Sequence, residues 1–268
     1  MPGQHDSTEH WDSVYEAQAP KNVPADDEVG CAALAHFGDV NGRKLLDLGC
    51  GTGEYTRFFA ARGGHVVAID RSPVAIKTLH RQCADASIEN VEGVVADAMD
   101  LERFGPFDLA FGSMILHHIE PFDRFVDVLA GSLRPGGRAF FYENSAMSSF
   151  LVWCRGHLVG RFGIPKKSDD DEFPLEPREI AQLGTRFDVT VEHPHVVLAS
   201  LASGYLFRDH LGKQLDWVDQ QLGRVDRLRR MSYLQHVKLV AHLDLTRPEE
   251  TTRPASTPVR SPTSPSPS

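Results

Sequence analysis

Leu45-Leu46-Asp47-Leu48-Gly49-Cys50-Gly51-Thr52-Gly53 joins a short apolar run to a turn with glycine at alternate positions. The run Lys44–Leu48 reads as a buried strand. Glu54 to Arg62 follows with helical spacing, Phe58, Phe59 and Ala61 forming its apolar side. Glycines at such a strand-to-helix turn allow positive φ and let a ligand approach the backbone closely. A dinucleotide-binding G-x-G-x-x-G would place its third glycine where Glu54 stands. Taken alone, the turn is weak evidence, since a tight βα connection also produces it.

Working outward, the chain keeps alternating. His65–Ile69 reads as a second strand, and Ser72-Pro73 as an N-cap and first residue of a helix to about Cys83. Val91–Ala96 and Phe107–Phe111 read as a third and a fourth strand. Phe122–Leu133 reads as a helix, and Arg138–Tyr142 as a fifth strand entered through Pro135-Gly136-Gly137. Pro177–Leu183 is then helical, while Phe187–His193 and Leu234–Leu243 are strand-like. Apolar strands separated by helices imply a sheet covered on both faces. The expected fold class is α/β, a Rossmann-like doubly wound sheet. It is mostly parallel with an antiparallel last strand, plus helical lid inserts. Ligands of such sheets bind beyond the carboxyl ends of the strands.

The strand ends carry the polar residues. Asp70 closes the second strand about 20 residues beyond the glycine turn, where a carboxylate can accept both hydroxyls of a ribose. Asp97 closes the third and can accept from an exocyclic adenine amine. The segments LLDLGCGTGEY (45–55), VVAIDRSP (66–73), VVADAMDL (94–101), GPFDLAFGSMILHHI (105–119) and LRPGGRAFFYEN (133–144) occur in one order and at one spacing. Over about residues 43–144 the chain resembles the class I S-adenosylmethionine-dependent methyltransferases of small-molecule type. The resemblance implies S-adenosyl-L-methionine as methyl donor. It places Gly49, Cys50 and Gly51 along the methionine portion, with Asp47 in the same donor-contacting set. It puts Asp70 on the ribose, Arg71 beside the adenine, Asp97 and Ala98 on the base, and Ser113 near the amino-acid end. Trp11-Asp12-Ser13-Val14-Tyr15 resembles a lead-in helix whose aromatic residue, here Tyr15, closes over the donor.

A sulfonium donor is already activated, so transfer needs no metal, and much of the catalysis can be positioning. A hydroxyl acceptor also needs a base. His117 and His118 after the fourth strand are candidates, since histidine titrates near neutral pH. Glu143, ending the fifth strand beside Tyr142, is a third candidate, able to act as base or to stabilise a cation. The 13 histidines and 4 cysteines show no metal-ligand spacing, so no metal is expected. The acceptor is expected to be a small apolar or aromatic molecule, because inserts at about 146–175 and 200–231 are rich in large apolar groups. The apolar stripe of the second insert leaves a homo-oligomer open.

The remaining features bound the answer. A net charge of -9 argues against non-specific nucleic-acid binding, and N/D-P-P-Y motifs are missing. Unpaired cysteines and a polar N-terminus predict a cytoplasmic protein without membrane insertion. The expected organisation is a helical lead-in over 1–42, a methyltransferase domain over 43–246, and a disordered Pro/Ser-rich tail over 247–268. Two competing functions stand at this point: a non-catalytic protein that binds S-adenosylmethionine or S-adenosylhomocysteine, and a nicotinamide-dependent oxidoreductase.

Overall fold

The computed structural model describes residues 5–17, 21–145, 174–194, 232 and 234–243. The chain enters through helices α1 (His5–Ala17) and α2 (Glu28–Phe37). It then runs β1 (Lys44–Leu48), α3 (Glu54–Ala60), β2 (His65–Asp70), α4 (Pro73–Asp85), β3 (Val91–Val95), a 3-10 helix (Ala98–Arg103) and β4 (Phe107–Ser113). A second 3-10 turn (Leu116–His118) leads to α5 (Phe122–Ser132) and β5 (Leu133–Asn144). After the first insert come α6 (Pro177–Leu183), β6 (Phe187–Glu192) and β7 (Leu234–Ala241).

The strands form one sheet in the order β3-β2-β1-β4-β5-β7-β6. Pairs from β3 to β5 are parallel, and β7 is antiparallel to both of its neighbours. The expected doubly wound sheet with an antiparallel last strand is therefore present. The order reverses between β1 and β4, and the crevice outside their carboxyl ends is the ligand site of such sheets.

Side-chain alternation explains why both faces are covered. Leu45, Val66, Leu109, Phe111 and Phe140 point to one face and pack under Phe37 of α2 and Phe58 and Phe59 of α3. Leu46, Val67, Ala110 and Phe141 point to the other, under Phe125, Val126 and Leu129 of α5. Each such large side chain, once buried, contributes roughly 1.5–3 kcal/mol.

Element boundaries differ from the sequence reading where local geometry intervenes. Helix α3 stops at Ala60 rather than Arg62, because the chain turns at Gly63, where φ is +84°. Leu133, expected as the last helical residue, instead begins β5 by pairing with Phe107. A register shift then lets Pro135-Gly136-Gly137 loop out before Arg138 pairs with Leu109. Strand β4 extends two residues beyond Phe111 to Ser113, because Gly112 and Ser113 still pair with Phe141 and Tyr142. The proposed lid inserts, apart from residues 174 and 175 of the first, and the Pro/Ser-rich tail lie outside the described residues.

Candidate active site

A cavity of about 600 Å³ opens at the carboxyl ends of β1, β2 and β4. Its floor is the glycine turn. Gly49, Gly51 and Gly53 all have positive φ, at 66°, 50° and 84°. The Gly49 and Cys50 amides both donate to the Ile69 carbonyl, at 2.8 and 3.1 Å, which curls the turn over the end of β2. A Cβ on Gly53 would lie 2.2 Å from Leu79 of α4. The third glycine therefore serves helix packing from a position one residue earlier than a dinucleotide fold requires. Helix α3 starts at the residue that follows, Glu54.

Asp70 ties the strand tips together. Its Oδ2 accepts the Gly51 amide at 2.8 Å and its Oδ1 accepts the Ser72 amide at 2.9 Å. Burial raises its carboxyl, and the Ser72, Gly51 and Arg71 amides pull in the opposite direction. Each carboxylate oxygen keeps a second lone pair, so both can still accept from a diol. Arg71 and Asp97 stand across the rim as a half-exposed ion pair at 3.5 Å. Asp97 also caps the first 3-10 helix by accepting the Met99 amide at 2.9 Å, and Ala98 lines the cavity beside it.

Asp47 is buried and accepts from the Thr56 hydroxyl at 2.5 Å. Burial, helped by the neighbouring Asp70 charge and opposed by Thr56, pushes its carboxyl up to about 7. Cys50 lines the cavity too. Burial and the two aspartates raise its thiol well above the ordinary range, so it packs rather than reacts.

Helix α1 covers the opening. Trp11 and Tyr15 line the cavity and stack at 5.8 Å between ring centroids. A Cβ on Gly51 would sit 3.2 Å from the Tyr15 ring and hydroxyl. Tyr15 thus lies directly over the turn, and burial raises its phenol further above neutrality. Ser72 donates a short hydrogen bond to Asp12, tethering the covering helix to the N-terminus of α4.

The acceptor-side candidates separate. Ser113, Met114, Ile115 and His118 line the cavity. His118 meets Trp11 edge-on at 5.6 Å. His117 and Glu143 are turned inward. Their side chains are 3% and 0% exposed, and His117 Nδ1 donates to Glu143 Oε2 at 2.7 Å. Glu143 also accepts the Ile115 and Leu116 amides, so it does not face an acceptor as expected. Tyr142 packs on His236 at 5.7 Å, away from the cavity, and burial pushes its phenol up to about 12. Among the described residues no cluster of His, Cys, Asp and Glu has metal-holding geometry. Sequence reasoning missed Thr56, Asp12 and the aromatic wall of Tyr55 and Phe111. Each depends on a contact between separate elements, for which the local pattern holds no signal.

Comparison with known proteins agrees with this geometry. A family model described as "Methyltransferase domain" matches residues 45–137. That stretch of the chain is thus similar to a methyltransferase domain. The match begins inside β1 and ends in the bulge of β5, so the matched stretch holds the glycine turn, Asp70, Asp97, His117 and His118. "Ubiquinone biosynthesis O-methyltransferase" of Xylella fastidiosa (strain 9a5c) is 32% identical over 146 residues, covering 53% of this chain and 58% of that protein. The protein of the same name from Rickettsia felis is 25% identical over 162 residues, covering 59% of this chain and 65% of its own length. The chain thus spans less than two thirds of these curated relatives.

Solved structures share the fold. N-methyltransferase NodS from Bradyrhizobium japonicum WM9, in complex with S-adenosyl-L-homocysteine, superposes with a TM-score of 0.56 at 14% identity, covering 88% of this chain and 98% of that one. The [4+2]-cyclase SpnF superposes at 0.59 with 15% identity, covering 90% and 97%. Likeness at that identity fixes architecture and leaves the reaction to the site. Among the described residues no helix is long and apolar enough to cross a membrane.

Proposed function

We propose that this protein transfers a methyl group from S-adenosylmethionine to a hydroxyl of a small apolar or aromatic molecule. The carrying observation is the meeting of Gly51, Asp70 and Asp97, from three successive strand tips, at one cavity. The glycine turn suits a donor that lies against backbone, because side chains there would collide with Ile115 and Tyr15. Asp70 supplies acceptors for the ribose, Asp97 for the adenine edge, and buried Asp47 a carboxyl on the methionine side whose ionised form a cationic donor favours. The sulfonium supplies a methyl carbon ready for in-line displacement.

This chain's residues then orient and deprotonate. Trp11 and Tyr15 exclude water from above, while Tyr55, Phe111 and Ile115 offer apolar walls to an aromatic acceptor. His118, on the cavity wall, takes the acceptor proton as the new carbon–oxygen bond forms and the carbon–sulfur bond breaks. The curated relatives named as O-methyltransferases support a hydroxyl acceptor. A nicotinamide oxidoreductase is not favoured, since Glu54 opens α3 where that motif needs glycine.

The test pairs calorimetry with turnover. S-adenosylmethionine should bind while NADH does not, and His118→Gln should lower methylation of catechol probes with donor affinity retained. Binding of NADH alone would reject the reading, and full activity in the His118 variant would remove it as base.

A further inference from the structure

Glu143 is fully buried at the end of β5, yet both of its oxygens point at the turn after β4. Oε1 accepts the Ile115 amide at 2.8 Å and the Leu116 amide at 2.7 Å. Oε2 accepts His117 Nδ1 at 2.7 Å. An acceptor-only carboxylate here requires the Nδ1–H form of His117. The same turn is strained. Met114 has φ +55°, in the left-handed region that methionine rarely occupies. It is held there by its amide, which donates to the Tyr142 carbonyl at 2.8 Å. The residues so fixed, Met114, Ile115 and His118, are those that line the cavity, and the His117 and His118 rings lie 4.1 Å apart.

We propose that Glu143 is a positioning residue: it clamps the 114–118 turn and the His117 ring, and so sets where His118 meets the acceptor. The proposal rests on the methyl-transfer reading above. Three donors from the strained turn end on this one buried carboxylate, and moving any of them away would leave a buried polar group unpaired. Glu143 itself never touches the acceptor. Its contribution is to the geometry of the transfer, where a displacement of about 1 Å costs on the order of 100-fold in rate.

Glu143→Gln tests this with little change of shape. The amide oxygen can still accept both backbone amides, but the amide nitrogen now faces His117 Nδ1 and reverses its tautomer. With catechol as acceptor, kcat should fall by on the order of 100-fold, while the donor dissociation constant stays as in the wild type. His117→Asn, whose amide can donate from nearly the same place as Nδ1, should retain far more activity than His117→Ala. Equal kcat in Glu143→Gln, or loss of donor affinity in parallel with kcat, would overturn the proposal.

A second arm needs no turnover. Imidazole ¹⁵N spectra of the wild type should show His117 protonated at Nδ1, and the His118 signals should move in Glu143→Gln, in which the hydrogen bonds altered are those to Ile115, Leu116 and His117. Protonation of His117 at Nε2, or an unmoved His118, would refute the clamp. Failure of the wild type to methylate catechol would instead count against the hydroxyl-transfer reading, and the spectra would still decide the clamp.

Discussion

The amide of Gly51 donates to Asp70 Oδ2 at 2.8 Å, so the tip of β2 holds the turn at the tip of β1. Donor binding and turn geometry are therefore one problem. Asp70→Ala removes both the ribose acceptor and the anchor, and should weaken S-adenosylmethionine binding by about 1.5–3 kcal/mol. Asp70→Asn keeps an acceptor oxygen for only one of the Gly51 and Ser72 amides and should fall between. Calorimetry decides: wild-type affinity in both variants would take Asp70 out of the site.

Asp47 carries a pH dependence of unusual sign for an aspartate. Its folded-state value of about 7 lies above the 3.8 of an ordinary aspartate. Between those values the native state holds a proton that the unfolded chain has released. Its contribution to stability is full below 3.8 and is lost as pH rises through about 7, each pH unit costing about 1.4 kcal/mol. Asp47→Asn should abolish that slope in the donor-free protein, read as the difference in Tm between variant and wild type across the interval. A cationic donor favours the ionised carboxylate, so wild-type affinity should rise over the same interval and the variant's should not.

Gly51→Ala should act through Tyr15 as well as through the backbone. At φ +50° an alanine costs roughly 1–2 kcal/mol. Its Cβ would also press on the Tyr15 ring from 3.2 Å. Tyr15→Ala should relieve the second effect and leave the first. A double-mutant cycle on thermal stability should therefore be non-additive. Strict additivity would mean that Tyr15 does not rest on the turn.

The tether between Ser72 and Asp12 predicts a kinetic effect. Losing one hydrogen bond costs about 0.5–1.5 kcal/mol, so Asp12→Ala should leave the fold intact while freeing α1. Stopped-flow measurement should then show faster donor release, with the association rate changed less. An unchanged release rate would mean that α1 does not gate the cavity.

Much of this was legible in the sequence because the deciding signals are local. Alternation in LLDLG and HVVAID fixes the buried strands, and the glycine spacing fixes the turn that follows. The strand-end aspartates stand where an open parallel sheet places its ligand. What escaped depends on packing between distant elements. His117 and His118 are adjacent in the chain and look interchangeable, yet one turns inward to Glu143 and the other outward to the cavity. Glu143 was expected to face the acceptor because strand ends do so in general. Three donors from the turn after β4 capture it instead. The stop of α3 at Ala60 and the early start of β5 at Leu133 likewise follow from a glycine turn and a bulge, which apolar periodicity does not record.

The most direct measurement is a crystal structure of the protein with S-adenosylhomocysteine bound. The ribose hydroxyls should rest on Asp70, the adenine edge at Asp97, and the amino-acid portion along Gly49 to Gly51 beside Asp47. A nucleoside bound elsewhere, or one leaving Asp70 and Asp97 unengaged, would contradict the account.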